Sequence, residues 1–363
     1  VEPADDLARG PRAPRDGLTR VVCIGLDACD PTIVARLAAA GRLPTLGRLL
    51  EAGVRIPVRN DPAFAVAACW PSFATGLRPE HHGYFGWATL VPGSYATRDL
   101  APEDVRGTPF WETLGAAGRR VAVVDVPRSR CARALHGLQV VEWGSHDRLG
   151  GLRTTPAGLR AELVARHGLH PVAGIEPDAA RVFSPSDHVH RRGAWRDAHE
   201  TEALVADELR GLARKTALSL DVLGRERWDC FVSVYGEAHS VGHQAWHQHE
   251  SAHPRHDAAT RRAHGDPIER VYRALDDAVA AHMAAAGDDA TVLVLLSHGM
   301  DAVYDAGADL VGRALDVLAH RAGPLWRGWA GHLRASVGSW LGAGTASAAA
   351  AAPAPRPWFL LPS

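Results

Sequence analysis

The sequence has almost no lysine and no surplus of either charge: 40 Lys+Arg stand against 41 Asp+Glu, a formal net charge of −1. A chain so balanced sets up no long-range field to gather nucleic acid or an anionic membrane surface, so neither is expected as a partner. Its basic residues are nearly all arginine, which fits a GC-rich coding bias as well as it fits phosphate binding. No apolar run is long enough to span a bilayer. Cysteines are few and odd in number (Cys23, Cys29, Cys69, Cys131 and Cys230), with no CxxC pair. Neither a disulfide framework nor a cysteine zinc finger is indicated, and a reducing cytoplasm is the expected compartment. Residues 1–20 are polar and proline-rich, read as a disordered arm. They lack the apolar core of a signal peptide, although a start at Val1 rather than Met leaves room for a removed upstream piece. No internal repeat is present.

What the sequence does have is apolar material, 46% of 363 residues, and 20 histidines. That is enough for one large α/β domain or two ordinary ones. Short apolar runs that read as buried strands cover 21–26, 120–126, 138–143, 230–235 and 291–296. Helical periodicity covers 31–50 (two short helices, interrupted at 41–44), about 71–76, 110–117, 200–223 and 267–285. The stretch 150–198 is rich in Pro, Gly and His and is read as an irregular cap or insertion on a domain spanning 21–341. Residues 342–363 form an Ala/Pro-rich tail, with truncation in view. Helices alternating with buried strands predict a mostly parallel sheet covered on both faces, with ligands at the carboxyl ends of its strands.

Those strand ends carry the chemistry. Asp27 closes the first, Gly236 to His243 follows the fourth, and Ser297-His298-Gly299 follows the fifth. A zinc-type site needs nitrogen and oxygen ligands brought from several strands to one edge, and Asp27, His239, His243 and His298 supply them. Each has a plainer reading. A strand ending in Asp is as often the N-cap of the next helix, histidines at i and i+4 are commonly surface residues, and His-Gly after a strand is commonly a turn. His239 to His243 is not a zincin motif, because Ser240 stands where HExxH has its glutamate. Trp143-Gly144-Ser145-His146-Asp147 sits at a strand end and offers a ligand, a substrate contact or a turn. His81-His82, the group His247, His249, His253, His256 and Asp257 on a segment read as irregular, and the arginines Arg191, Arg192 and Arg196 are weaker candidates for loop support, the substrate entrance and phosphate contact.

The run Trp70-Pro71-Ser72-Phe73-Ala74-Thr75-Gly76-Leu77-Arg78-Pro79-Glu80-His81-His82-Gly83 resembles the TGxxPxxHG block of the type I phosphodiesterase/nucleotide pyrophosphatase group, in the alkaline phosphatase superfamily. Ile24 to Asp27 and Leu43 to Leu46 resemble the segments before that block, and Gly236 to His247 and Ser297 to Met300 the two later metal-binding blocks. The likeness covers 21–311. It implies an alkaline-phosphatase-like three-layer α/β sandwich with a mostly parallel central sheet, two divalent metals (zinc expected, with one site as the lesser count here) and a nucleophile at a helix N-terminus. By position, Asp27 would bind the metal nearer the nucleophile. His239 and His243 match a D-x-x-x-H pair with histidine for aspartate, and His298 matches the histidine of Asp-His-Gly with Ser297 for the aspartate. The family's last histidine has no clear match, since His320 and His332 lack its motif. Counting nine residues back from Thr75 lands on Val66, which has no nucleophilic atom. Aligning on the proline instead gives Cys69, in a sulfatase-like C-x-P-S context whose arginine position is Phe73, so no formylglycine is expected.

Cys69 and Ser72 are therefore the candidate nucleophiles. A small buried hydrophobe and a capping residue are their plainer readings, and a water activated by the metal is the alternative attacker. The expected function is metal-dependent hydrolysis of a small-molecule phosphate ester, a phosphodiester by the resemblance. The alternative is an inactive superfamily member kept as a binding protein, which Val66, Ser297 and the missing histidine favour. Sulfatase-like or phosphoglycerate-mutase-like activity is disfavoured by Phe73 and the dearth of lysine. Oligomeric state is not readable.

Overall fold

The computed structural model describes residues 19–61, 63–64, 66–146, 151–172 and 198–301. Asp147, Arg191, Arg192, Arg196, His320, His332, nearly all of the N-terminal arm and the tail lie outside them.

A six-stranded sheet runs through the molecule in the order β6-β5-β4-β7-β1-β8. Its central strands are β4 (Val121–Val124), β7 (Cys230–Tyr235) and β1 (Arg20–Leu26), flanked by β5 (Gly137–Val141), β6 (Arg153–Thr155) and β8 (Ala290–Leu296). All neighbours pair in parallel except β6, which is antiparallel to β5. Every residue of β4 and β7 is buried, because helices cover both faces of the sheet.

The strand period of two divides the core. Val22, Ile24, Leu26, Ala122, Val124, Phe231 and Tyr235 face one side. There they meet α1 (Pro31–Ala39), α2 (Pro44–Ala52), α7 (Ala198–Arg225), α8 (Glu237–His249) and α10 (Pro267–Ala286). Cys23, Val121, Val123, Cys230, Val232 and Val234 face the other side, against Trp70 and Ala74 of α3 (Cys69–Thr75) and Trp111 of α5 (Phe110–Ala116). A short α4 (Pro79–His82) and a hairpin of β2 (Ala88–Leu90) and β3 (Thr97–Asp99) follow α3, and α9 (Ala258–His264) precedes α10.

Local signals explain most of the boundaries. Asp30 caps α1 through the N–H groups of Thr32 and Ile33, and Asp266 caps α10 through Ile268 and Glu269. The start of α2 has no cap of its own. Asp276 of α10 reaches across to accept from Thr45 N and Leu46 N at 3.0 and 2.7 Å. The sequence reading differs from the structure in three places. Helix α3 opens at Cys69, two residues before the expected start, which sets Pro71 in the first turn, where its missing N–H costs nothing. Residues 151–172, read as irregular, contain β6 and a helix α6 (Leu159–His167) that packs on α7. The histidine-rich segment after His243 is not irregular either, since α8 carries it as far as His249.

Among the described residues, four that are not glycine adopt positive φ, namely Ala28, Asp125, Arg128 and Glu142, at 53–58°. All four follow the carboxyl ends of β1, β4 or β5. Such backbone costs ~1–3 kcal/mol per residue and persists only where its surroundings enforce it. A different constraint acts inside β1. A Cβ on Gly25 would lie 2.7 Å from Cη2 of Trp70 and 2.9 Å from Cγ2 of Val234. Gly25→Ala is therefore expected to lower stability by ~1–3 kcal/mol, read as a shift of the urea midpoint, because Trp70 has to move off the strand. An unshifted midpoint would show that this face tolerates a methyl group.

Candidate metal centre

Asp27 lies just past β1, and it does not cap α1, a role taken by Asp30. Its carboxylate is buried and receives donors from three separate elements. Trp70 Nε1 of α3 donates to Oδ1 at 2.7 Å, Ser297 Oγ after β8 donates to Oδ1 at 3.0 Å, and His239 Nδ1 of α8 bonds Oδ2 at 2.7 Å. Burial works against the charged form. The His239 charge and hydrogen bond, His298 and the Trp70 N–H outweigh it and hold the carboxyl well below the usual range. Since an ionised carboxylate only accepts, His239 donates from Nδ1, and its Nε2 is the basic nitrogen when the ring is neutral.

That Nε2 stands 3.0 Å from Nε2 of His243, one helical turn along α8. His298 sits on the other side, with Nε2 3.6 Å from Asp27 Oδ1 and its ring edge-on to His239 at 5.4 Å. Asp27, His239 and His298 thus lie together at the carboxyl edge of the sheet, and His243 adjoins them through His239. The cluster has a fifth member. His146, past the end of β5, stacks on His239 with ring centroids 4.0 Å apart and planes 20° apart, and lies 5.2 Å from the His243 ring. Two sets of potential ligand atoms, each within 4.8 Å of one another, share His239: His146, His239 and His243, and Asp27, His239 and His298.

A hollow in front of the cluster is lined by Asp27, Val66, Trp70, Arg128, His239 and His298. Arg128 is buried and donates from Nη1 to Tyr84 Oη at 3.0 Å. Nothing in the sequence pattern marks it or Trp70 as site residues, because neither belongs to a strand-end carboxylate or histidine motif. Val66 occupies the nucleophile position by count and does line the hollow. Cys69 opens α3, its thiol donating to Asn60 Oδ1 at 3.0 Å and lying 3.4 Å from the Ser297 carbonyl oxygen. Burial, together with the Asp27 charge, pushes that thiol up to about 11. Ser72 Oγ is 2.9 Å from His82 Nε2, and His82 Nδ1 accepts from Tyr84 N, so the imidazole donates to the serine. Ser297 is a hydrogen-bond bridge, accepting from Ala28 N and donating to Asp27.

The described residues form a mostly parallel α/β sheet with helices on both faces and a cluster of candidate ligands at its carboxyl edge. The type I phosphodiesterase / nucleotide pyrophosphatase family model matches residues 21–337, and the chain belongs to that family. Two crystal structures of phosphonoacetate hydrolase from Sinorhizobium meliloti are among the similar solved structures. The one in complex with phosphonoformate is 20% identical with a TM-score of 0.42, over 77% of this chain and 56% of that one. The one in complex with phosphonoacetate is 21% identical with a TM-score of 0.42, over 82% of this chain and 62% of that one. The chain therefore spans about three fifths of their length. No curated protein matches its sequence.

The donor set fits a divalent ion of the zinc class. It combines imidazole nitrogens with one carboxylate, and the 3.0 Å between the facing nitrogens of His239 and His243 is near the ~3.3 Å separating two ligands on one tetrahedral zinc. A carboxylate behind the imidazole, as Asp27 stands behind His239, is the outer partner that metal-binding histidines use.

Further along α8 the histidines do other work. His247 is buried, and its carbonyl accepts from His256 Nδ1 at 3.2 Å. Burial, reinforced by His253, Arg255 and His256, pushes its imidazole from 6.5 down to about 4. The unfolded chain therefore binds this proton near 6.5 while the folded chain resists it until about 4. Stability is expected to fall as pH drops through that window and to level off below it. The urea midpoint should be lower at about pH 5 than at about pH 7.5, and His247→Gln should shrink the difference. An undiminished difference in the variant would place the acid sensitivity elsewhere.

Proposed function

We propose that the protein is a metal-dependent hydrolase of a small-molecule phosphate ester, with a phosphodiester as substrate and zinc as the metal. The convergence of Asp27, His239, His243 and His298 beside a hollow that also receives Arg128 carries this reading. A bound divalent ion would polarise the phosphoryl oxygen and lower the pKa of an attacking water. The chain's own groups set the rest. Asp27 fixes the tautomer and direction of His239, and Arg128 places a permanent positive charge at the hollow, where a phosphoryl oxygen carries negative charge. Val66 provides no nucleophile. Burial and the Asp27 charge raise the Cys69 thiol of the metal-free site to about 11, which favours water over that thiol as the attacking species.

Activity is expected on a model substrate such as bis(p-nitrophenyl) phosphate, lost on chelation and restored by zinc. His239→Ala is expected to lower kcat/KM by ~100-fold or more, and Cys69→Ala by less than ~10-fold. A collapse in Cys69→Ala with the fold intact would instead assign the attack to sulfur, and in Ser72→Ala to that hydroxyl. A second reading, a catalytically inactive member that binds a phosphorylated ligand, draws on Val66 at the nucleophile position. It would be favoured by a protein that holds metal and binds phosphate esters without turning them over.

A further inference from the structure

His146 follows β5 while α8 follows β7, and β4 lies between those two strands in the sheet. Its arrival at the cluster is nevertheless built in. Asp125, at the end of β4, accepts from Trp143 N and Gly144 N at 2.7 and 2.6 Å and pairs with the buried Lys215 at 2.8 Å, which pins the turn leaving β5. The same turn comes so close to the start of α8 that a Cβ on Gly236 would meet His146 N at 2.8 Å. The His146 ring then bonds Ser240 Oγ through Nδ1 at 2.9 Å.

Three imidazoles are thus packed with one ring nitrogen of each within 4.8 Å of the others. Two of them have an outer hydrogen-bond partner that fixes the ring, Asp27 for His239 and Ser240 for His146. Ring nitrogens gathered this closely can be shared by a single cation. Asp27, by contrast, already accepts three hydrogen bonds, and it holds His239 through the nitrogen that faces away from His243.

We propose that His146, His239 and His243 form a three-nitrogen site for one divalent ion of the zinc class, with Asp27 orienting His239 from behind rather than ligating that ion. This deepens the hydrolase reading and rests on it only for the use made of the metal. Three nitrogens leave one position of a tetrahedral ion open, which is the form of a reactive rather than a purely structural site.

The test is titration of the chelator-stripped full chain with Co²⁺, followed by its visible d–d absorption, alongside turnover of bis(p-nitrophenyl) phosphate. Wild type is expected to bind a tight ion with the intense absorption of a four-coordinate site. His146→Ala should weaken that ion by ~100-fold or more, and Asp27→Asn by the ~10–100-fold typical of outer partners while keeping the spectrum. His298→Ala should keep the same tight ion. Circular dichroism checks that the variants are folded, and should His146→Ala unfold, His146→Gln is used in its place. The proposal is overturned if folded His146 variants keep wild-type affinity and spectrum, or if the wild type binds no Co²⁺ at all. A wild type with the expected spectrum and no turnover upholds the site and sinks the hydrolase reading. Metal-dependent turnover that survives His146→Ala unchanged does the opposite.

Discussion

The buried Asp27 carboxylate is the contact on which the arrangement depends. An ionised carboxylate sealed from water is costly unless its oxygens are filled, and here three donors fill them from three places: the α3 indole, the residue after β8 and the first turn of α8. Each donor fastens the element that carries it to the end of β1. Loss of the carboxyl group would leave the Trp70 N–H and the Ser297 hydroxyl without their acceptor in a buried setting. Removing one partner of such a network typically costs ~3–5 kcal/mol, so structure and site share one anchor.

A second carboxylate repeats this logic two strands away. Asp125 follows β4 as Asp27 follows β1, and it too is fully buried, held by two backbone N–H groups and Lys215. The two anchors divide the labour. Asp27 draws α3, α8 and the β8 exit together, while Asp125 fixes the β5 exit and with it His146. The positive-φ residues Ala28, Asp125, Arg128 and Glu142 cluster along this same edge, so the backbone strain of the described region's non-glycine residues is concentrated where the ligand-bearing turns are shaped.

The sheet was legible in the sequence because fully buried strands are continuous apolar runs and their carboxyl ends carry the polar residues. Asp27, His239, His243 and His298 could be picked out for the same reason, and the family likeness ordered them. What could not be read was lateral. Trp70 is an aromatic in a helix until β1 is placed beneath it, and Gly25 is the local trace of that contact. His146 stood in a stretch equally readable as a turn, and only the approach of Gly236 to its backbone makes it a neighbour of α8. β6 and α6 escaped because a three-residue edge strand carries too short a pattern to register against proline and glycine around it.

The departures from the family pattern also change the charge of the site. By the motif match, histidine stands for aspartate at His239 and serine for aspartate at Ser297, so two acidic positions have become neutral. Among the described residues, Asp27 is the one carboxylate in the cluster beside four histidines, with Arg128 on the rim of the hollow. A divalent ion added to that set leaves a net positive site, where two more carboxylates would have brought it near neutrality or below. Such a site would hold a metal by imidazole nitrogen more than by charge, and it would attract an anion more strongly, since the attraction would not be cancelled by neighbouring carboxylates. The same change explains why Ser297 stays useful without ligating anything. A hydroxyl there donates to Asp27 and orients it, whereas a second carboxylate so close to it would repel it.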